Sequence, residues 1–308
     1  MKRRDLFELL EYAKSLGLSF ALSPAVTQLL TYDALKKLKE SGVSAVSVSL
    51  DGASAKTHES IRREPGTFDR TVLTMKRAVE IGLKIQVNTA VMKSNLLELP
   101  DIYNLIKGIG VKTWELFFLI KVGRGSKVED ISPIESEAVG NFLYDCSLRG
   151  MLIRTVEAPF VRRIADQRKN DPDYNFRSIG TYSTLHEKLQ SLDGLNKEAE
   201  AGSNSTLARV GTLDGDGIVF VSYDGTIYPG GLLPISLGNV KSDTHLVSTY
   251  RDTELLKKIR SRAFQGPCGD CKYKEVCGGS RARSYSYYGD PLSSDPSCSF
   301  LIQVAKAI

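Results

Sequence analysis

TFDRTVLTMKRAVEIGLKIQVNTAVM, residues 67–92, reads as a helix, a glycine stop and a strand in immediate succession. Apolar residues recur at helical spacing through 67–81, Gly82 ends the helix, and 83–92 is a short run of β-branched and apolar side chains. The unit recurs on both sides. DLFELLEYAKSL (5–16) stops at Gly17 before LSFALS (18–23), and YDALKKLKES (32–41) stops at Gly42 before VSAVSVSLDG (43–52). LELPDIYNLIKGI (97–109) stops at Gly110 before VKTWELFFLI (111–120). Strands alternating with helices predict a parallel β/α architecture, barrel-like or doubly wound, over residues 1–125. The array opens on a helix, which leaves 18–23 as an apolar sheet edge of the kind natural sheets avoid exposing. Either earlier strands are missing or a partner covers that edge.

Residues 126–210 change character: charged helices over 134–150, 158–169 and 182–192 are joined by polar links such as RKNDPDYN and NKEAEAGSNS. A second domain is expected over 211–308. It opens with DGDGIVFVSYDGTIYPGG (214–231), two short strands around the turn signal Tyr223-Asp224-Gly225, and continues with a helix, TELLKKIRSRAF (253–264).

Composition narrows the function classes. The 308 residues are 42% hydrophobic and 25% charged, and a net charge of +5 spread along the chain gives no reason to expect a nucleic-acid partner. No apolar run approaches the roughly 18 residues of a membrane span, and no secretory signal opens the chain. A cytoplasmic, reducing setting is the expectation, and there clustered cysteines are metal ligands more often than disulfides.

Four of the five cysteines lie in Cys268-x2-Cys271-x5-Cys277, with Cys298 after twenty intervening residues. Four thiolates close a tetrahedral zinc site or fill the corners of a cubane iron–sulfur cluster, and spacing leaves both open. Cys146, in NFLYDCSLRG, reads as a small buried side chain. The other place to look is the carboxyl ends of the strands, where ligands bind in parallel β/α folds. These ends carry Ser23, Ser49-Leu50-Asp51-Gly52, Asn88-Thr89 and Val122-Gly123-Arg124-Gly125. Such groups suit a polar ligand with ribose and amino-acid parts, and equally suit helix caps. Arg62 is placed in the loop after 43–52 and could pair with a carboxylate. His58, His186 and His245 show no ligand spacing and read as surface or capping residues. GxGxxG, GxSxG and P-loop motifs are absent.

RRDLFELLEYAKSLGLSFALSPAVT, VSVSLDG and HESIRREPGTFDRTVLTMKRAVEIGLKIQVNTAV together resemble the later part of a radical S-adenosylmethionine (SAM) barrel. The C-terminal Cys-x2-Cys-x5-Cys-GG…Cys, with SYDGTIYPGG and LGNV before it, is similar to the SPASM or twitch auxiliary-cluster domain. The resemblance implies a partial β/α radical SAM barrel over 1–125, a helical linker over 126–210 and a SPASM/twitch domain over 211–308. It places Cys268, Cys271, Cys277 and Cys298 on one auxiliary [4Fe-4S] cluster. Arg281 and Gly230-Gly231 stand where the two-cluster form has further cysteines, which implies the single-cluster variant. Ser49, Asp51, Arg62 and Asn88 become candidates for SAM contacts, while Ser23-Pro24-Ala25 departs from the family's Thr-Asn-Gly.

CGGSRARSYSYYGDPLSSDPSC is similar to the branch that acts on porphyrin propionates in haem biosynthesis. An intact member would take an electron from a donor, generate a 5′-deoxyadenosyl radical and modify a porphyrin-like substrate. A peptide-modifying enzyme shares the same frame, and a non-catalytic four-cysteine metal-binding accessory protein is the reading from another class. The family's Cys-x3-Cys-x2-Cys and GGEP motifs are not in the sequence. The expectation is a chain that starts just past both, retains the auxiliary site and does not cleave SAM reductively by itself.

Overall fold

The strand sequences carry two kinds of side chain in strict alternation, and this decides how the sheet is covered. In the computed structural model, which describes residues 3–123, 125, 128–192, 207, 213–242 and 245–300, the first elements are α1 (Leu6–Ser15), α2 (Tyr32–Glu40), β1 (Val46–Ser49), α3 (Ala55–Arg62) and α4 (Thr67–Glu80). Then come β2 (Ile85–Val91), α5 (Leu99–Ile109), β3 (Thr113–Phe118), α6 (Pro133–Leu148) and β4 (Leu152–Val156). The strands form an open four-stranded parallel sheet in the order β1-β2-β3-β4, with Val46 opposite Ile85 and Ser49 opposite Asn88. Val46, Val48, Ile85, Val87, Val91, Trp114 and Leu116 are buried, whereas the intervening Ser47, Ser49, Gln86, Asn88 and Glu115 are half-buried. Successive side chains of a strand point to opposite faces, so the sheet has one apolar and one polar face. Amphipathic helices supply the cover: α4 packs on β1 and β2, and α2, α4 and α5 bury Leu35, Leu38, Met75, Ala78, Ile102 and Ile106.

Three expectations change. Segment 18–23 is not a strand: Leu22 alone bridges to Val46, its N–H donating to Ala45 O at 3.0 Å and its carbonyl accepting from Ser47 N at 2.8 Å. Leu18 beside it is exposed. The fourth strand of the sheet is instead β4, whose LIRTV is broken by the exposed Arg154 and so shows no long apolar run. Arg62 is not in a loop but in the last turn of α3, a helix begun by Ser54, whose hydroxyl accepts from Thr57 N at 3.3 Å. Arg124 and the link 196–205 lie outside the described residues.

The chain divides into two compact units: Met1–Phe117 with Asp145–Arg154 and Ser183–Leu207, and Phe118–Tyr144 with Thr155–Tyr182 and Ala208–Ile308. After β4 come α7 (Phe160–Asn170), α8 (Gly180–Leu192) and five short strands: β5 (Leu213–Asp214), β6 (Gly217–Ile218), β7 (Phe220–Val221), β8 (Thr226–Tyr228) and β9 (Gly238–Asn239). β7, β8 and β9 form an antiparallel sheet, and the expected hairpin turn closes through Gly225 N to Ser222 O at 2.9 Å. α9 (Leu246–Asp252), α10 (Glu254–Arg260) and α11 (Arg281–Tyr288) complete the second unit. Its small core joins Leu256, Ile259, Phe264 and Leu292 to Cys268. Cys146 is fully buried, as its sequence context suggested. No helix among the described residues is long and apolar enough to cross a membrane.

A buried polar chain ties the sheet together: Trp114 Nε1 donates to Thr89 Oγ1 at 2.8 Å, and Thr89 Oγ1 donates to Leu50 O at 2.7 Å. Replacing Thr89 with valine keeps the shape and strands the indole N–H. A buried unsatisfied donor costs about 2 kcal/mol. Denaturant unfolding of Thr89→Val is expected to show a loss of that order, and a wild-type midpoint would exclude it.

Candidate functional site

At the carboxyl ends of β1 and β2, sequence places Ser49 and Asn88 on the polar face and turns Asp51 inward. Ser49 and Asn88 are register partners, and Asn88 Oδ1 accepts from Gln86 Nε2 at 2.9 Å. The same Gln86 amide donates to Glu115 Oε2 at 2.8 Å, and Arg154 Nη1 donates to Gln86 Oε1 at 3.2 Å. Burial pushes the Glu115 carboxyl up, against the pull of Arg154. Gln86, Glu115 and Arg154 thus extend the row begun by Ser49 and Asn88. Reading only strand ends misses them; period-two alternation would have found Gln86 on β2 and Glu115 on β3, whereas Arg154 lies on β4, whose pattern carries no strand signal. Ser23 Oγ and Ser47 Oγ share a hydrogen bond at the edge of this row.

Asp51 is 1% exposed and fully engaged. Its Oδ1 accepts from Ala90 N at 2.8 Å, its Oδ2 meets Arg62 Nη2 at 2.6 Å, and its carbonyl accepts from Asn95 Nδ2 at 2.8 Å. Asp51 therefore clamps the end of β1 to the end of β2 and fixes Arg62, whose side chain remains 40% exposed. Glu98 does the same for the following turn, accepting from Ala53 N at 2.9 Å and from the Thr57 hydroxyl at 2.5 Å. His58 is not a surface residue: it is 1% exposed, and its Nδ1 accepts from Asp51 N at 3.1 Å. His186 instead pairs with Asp145 at 2.8 Å, and His245 precedes α9.

In the second unit, Cys268, Cys271, Cys277 and Cys298 line one cavity of about 370 Å³, part of it open to solvent, together with Phe160, Tyr273 and Phe300. None of these four cysteines is in a disulfide. Three sulfurs already accept a backbone N–H at 3.4 Å: Cys268 from Asp295, Cys271 from Tyr273 and Cys277 from Gly279. Burial pushes the Cys277 thiol up to about 12. Gly279 has φ +66°, and a β-carbon there would stand 2.6 Å from Arg281 Nη2 and 3.4 Å from Cys268 Sγ. Around the cavity, Arg163 forks onto Glu137, which Tyr174 and Ser299 also address, and Arg283 forks onto Asp295. Burial opposes charge on Glu137, but Arg163 outweighs it and holds the carboxyl below its ordinary range.

The chain as a whole is similar to a known set of proteins. The Radical SAM superfamily description fits residues 2–106. The AdoMet-dependent heme synthase of Nitratidesulfovibrio vulgaris is 32% identical over 304 residues, which are 97% of this chain and 76% of that protein. The chain belongs to the radical SAM superfamily. The Fe-coproporphyrin III synthase of Methanosarcina barkeri is 28% identical, covering 96% of this chain and 72% of that protein, so the similarity lies with the haem-biosynthesis branch. In fold, the chain is similar to Streptococcus suis SuiB bound to S-adenosylmethionine, with a TM-score of 0.63 at 14% identity. That alignment covers 97% of this chain, which spans 64% of the SuiB chain.

Radical SAM membership implies binding of an iron–sulfur cluster and of SAM. The four-cysteine cavity is separate from the Cys-x3-Cys-x2-Cys that holds that cluster in the family, and its own donors suit a second iron–sulfur group. Four sulfurs line the cavity, with the Asp295 carboxylate beside them; three of the sulfurs are met by peptide N–H groups, and a buried guanidinium nitrogen, Arg281 Nη2, borders the same space beside Gly279 as Cys268 Sγ. Among the described residues, no three Cys, His, Asp or Glu donors converge to hold a single metal ion. Gly230 also leaves no room for another ligand, since a β-carbon there would stand 1.7 Å from Asp214 Oδ1.

The buried His58 gives the radical SAM unit an acid limit. Burial lowers its pKa from 6.5, with Asp51 opposing. The unfolded chain then takes up the proton first, so this contribution to stability is complete above about pH 6.5 and is lost as pH falls below it. Unfolding measured from about pH 7.5 to 5 is expected to show a steeper acid decline for wild type than for His58→Gln, which retains an acceptor. Parallel curves would contradict it.

Proposed function

We propose that this chain holds one auxiliary [4Fe-4S] cluster on Cys268, Cys271, Cys277 and Cys298, in a SPASM/twitch domain over residues 211–308. It serves radical SAM chemistry on a porphyrin-like substrate of haem biosynthesis, with a separate electron donor. The observation that carries this reading is the convergence of all four predicted cysteines on one cavity. The relatives supply the substrate class, since two of the most similar proteins are named for haem and Fe-coproporphyrin III synthesis. Peptide-modifying relatives match at lower identity.

Iron–sulfur centres and SAM supply one-electron chemistry when bound. The chain's own residues bind and orient. In this reading Ser49, Asn88 and the free edge of Arg62 face SAM, and Asp51 holds Arg62 in place rather than touching the ligand. Glu115, Gln86 and Arg154 line the polar face that the substrate approaches. Arg154 is the cation there for a propionate carboxylate.

Anaerobic reconstitution is expected to give about four iron and four sulfide per chain, the content of one cubane. Cys298→Ser is expected to lose most of that iron while keeping its far-UV spectrum. Fe-coproporphyrin III added to the loaded chain is expected to shift its Soret band. Zinc in place of iron would favour the metal-binding accessory protein, and an unshifted Soret band would remove the porphyrin assignment.

A further inference from the structure

Among the described residues, two buried arginines near the cysteine cavity are hydrogen-bonded to a carboxylate and a third is not. Arg163 is forked onto Glu137, and Arg283 onto Asp295. Arg281, 1% exposed, has only neutral partners: its Nε donates to Gly279 O at 3.2 Å, and its Nη1 donates to Pro291 O at 2.9 Å and Ser293 O at 2.8 Å. Its face lies over the Phe264 ring at 4.2 Å. Asp295, Glu157 and Asp214 act on it through space without a hydrogen bond, and Asp295 is already taken by Arg283, by Ser280 N at 2.8 Å and by Ser297 N at 3.0 Å; Cys268 is the cavity side chain that acts on it most directly.

The remaining nitrogen, Nη2, is buried without a hydrogen-bond partner. The position of Gly279 shows where it points, because the space a β-carbon would fill there is bordered by Arg281 Nη2, the Asp295 β-carbon and Cys268 Sγ. A dehydrated cation held by carbonyls and a ring gains from an anion at its open nitrogen, which none of its hydrogen-bond partners supplies. A metal centre bound by four thiolates does, because it carries net negative charge.

We infer that Arg281 is the counter-cation of the bound cluster, donating through Nη2 to its Cys268 side and raising its reduction potential. This rests on the cluster assignment above. A positive donor beside a cluster sulfur favours the reduced form, which has one more negative charge. Three backbone anchors hold the guanidinium there independently of the cluster, so the charge is in place before loading.

The test is an EPR-monitored redox titration of the reconstituted full chain, with iron and sulfide measured on the same samples. Arg281→Gln, which keeps a donor and removes the charge, is expected to retain iron and shift the midpoint to lower potential. Arg281→Lys is expected to shift it less. An iron-loaded Arg281→Gln chain with the wild-type midpoint would overturn the inference and leave the cluster assignment intact. Wild-type chain without iron would sink the cluster assignment itself. Should either variant fail to fold, wild type labelled with ¹⁵N-arginine decides. Pulsed EPR of its reduced cluster is expected to show a weak guanidinium ¹⁵N coupling, and its absence would overturn the inference.

Discussion

The constraint on which the first unit depends is the two-residue period of β1, β2 and β3. Val46, Val48, Ile85, Val87, Trp114 and Leu116 must meet the helices on one face. A slip of one residue would exchange that entire set for Ser47, Ser49, Gln86, Asn88 and Glu115. Burial of each large apolar side chain is worth roughly 1.5–3 kcal/mol. The register is therefore held chiefly by hydrophobic burial, by far more than any single polar contact could supply. The polar row on the opposite face follows from that choice and needs no separate device.

Asp51 shows how a strand end is turned from an apolar element into a polar platform. A buried carboxylate is tolerated only with its oxygens satisfied, and here Ala90 N–H and the Arg62 guanidinium satisfy them. His58 completes the knot as a neutral acceptor of the Asp51 N–H. The outcome is a rigid corner at which Arg62 projects partly into solvent while Ser49 and Asn88 stay in register beside it. Removing water from the ends of β1 and β2 by fully satisfying the backbone there leaves only chosen side chains to address a ligand.

Much of this was legible in the sequence because helix stops and cysteine spacing are local signals. The gly-terminated helices ending near residues 15, 40, 80 and 109 fall where Gly17, Gly42, Gly82 and Gly110 announced them. The four cysteines do share one cavity. What escaped was set by tertiary pairing. Strand β4 is recognisable only beside β3, since Arg154 interrupts its pattern, and 18–23 looks like a strand but forms a single β-bridge, at Leu22, flanked by hydrogen bonds at Phe20 and Ser23. His58 carries no ligand spacing because its partner is a backbone N–H seven residues earlier, a contact created by the tight entry into α3. Arg281 reads as one arginine among many until burial and the absence of a carboxylate single it out.

The second unit solves a different problem, that of keeping four thiols apart yet directed to one space. Cys271 and Cys277 use the same local device, a chain that turns so that the N–H two residues later meets the sulfur. Cys268 reaches an equivalent state through a distant donor, Asp295 N–H, which ties the first cysteine segment to the one carrying Cys298. Each such N–H favours thiolate, whereas burial favours the neutral thiol, and at Cys277 burial wins. A metal centre held here would gain from the three N–H groups that the fold already aims at sulfur, because those contacts form with the chain itself.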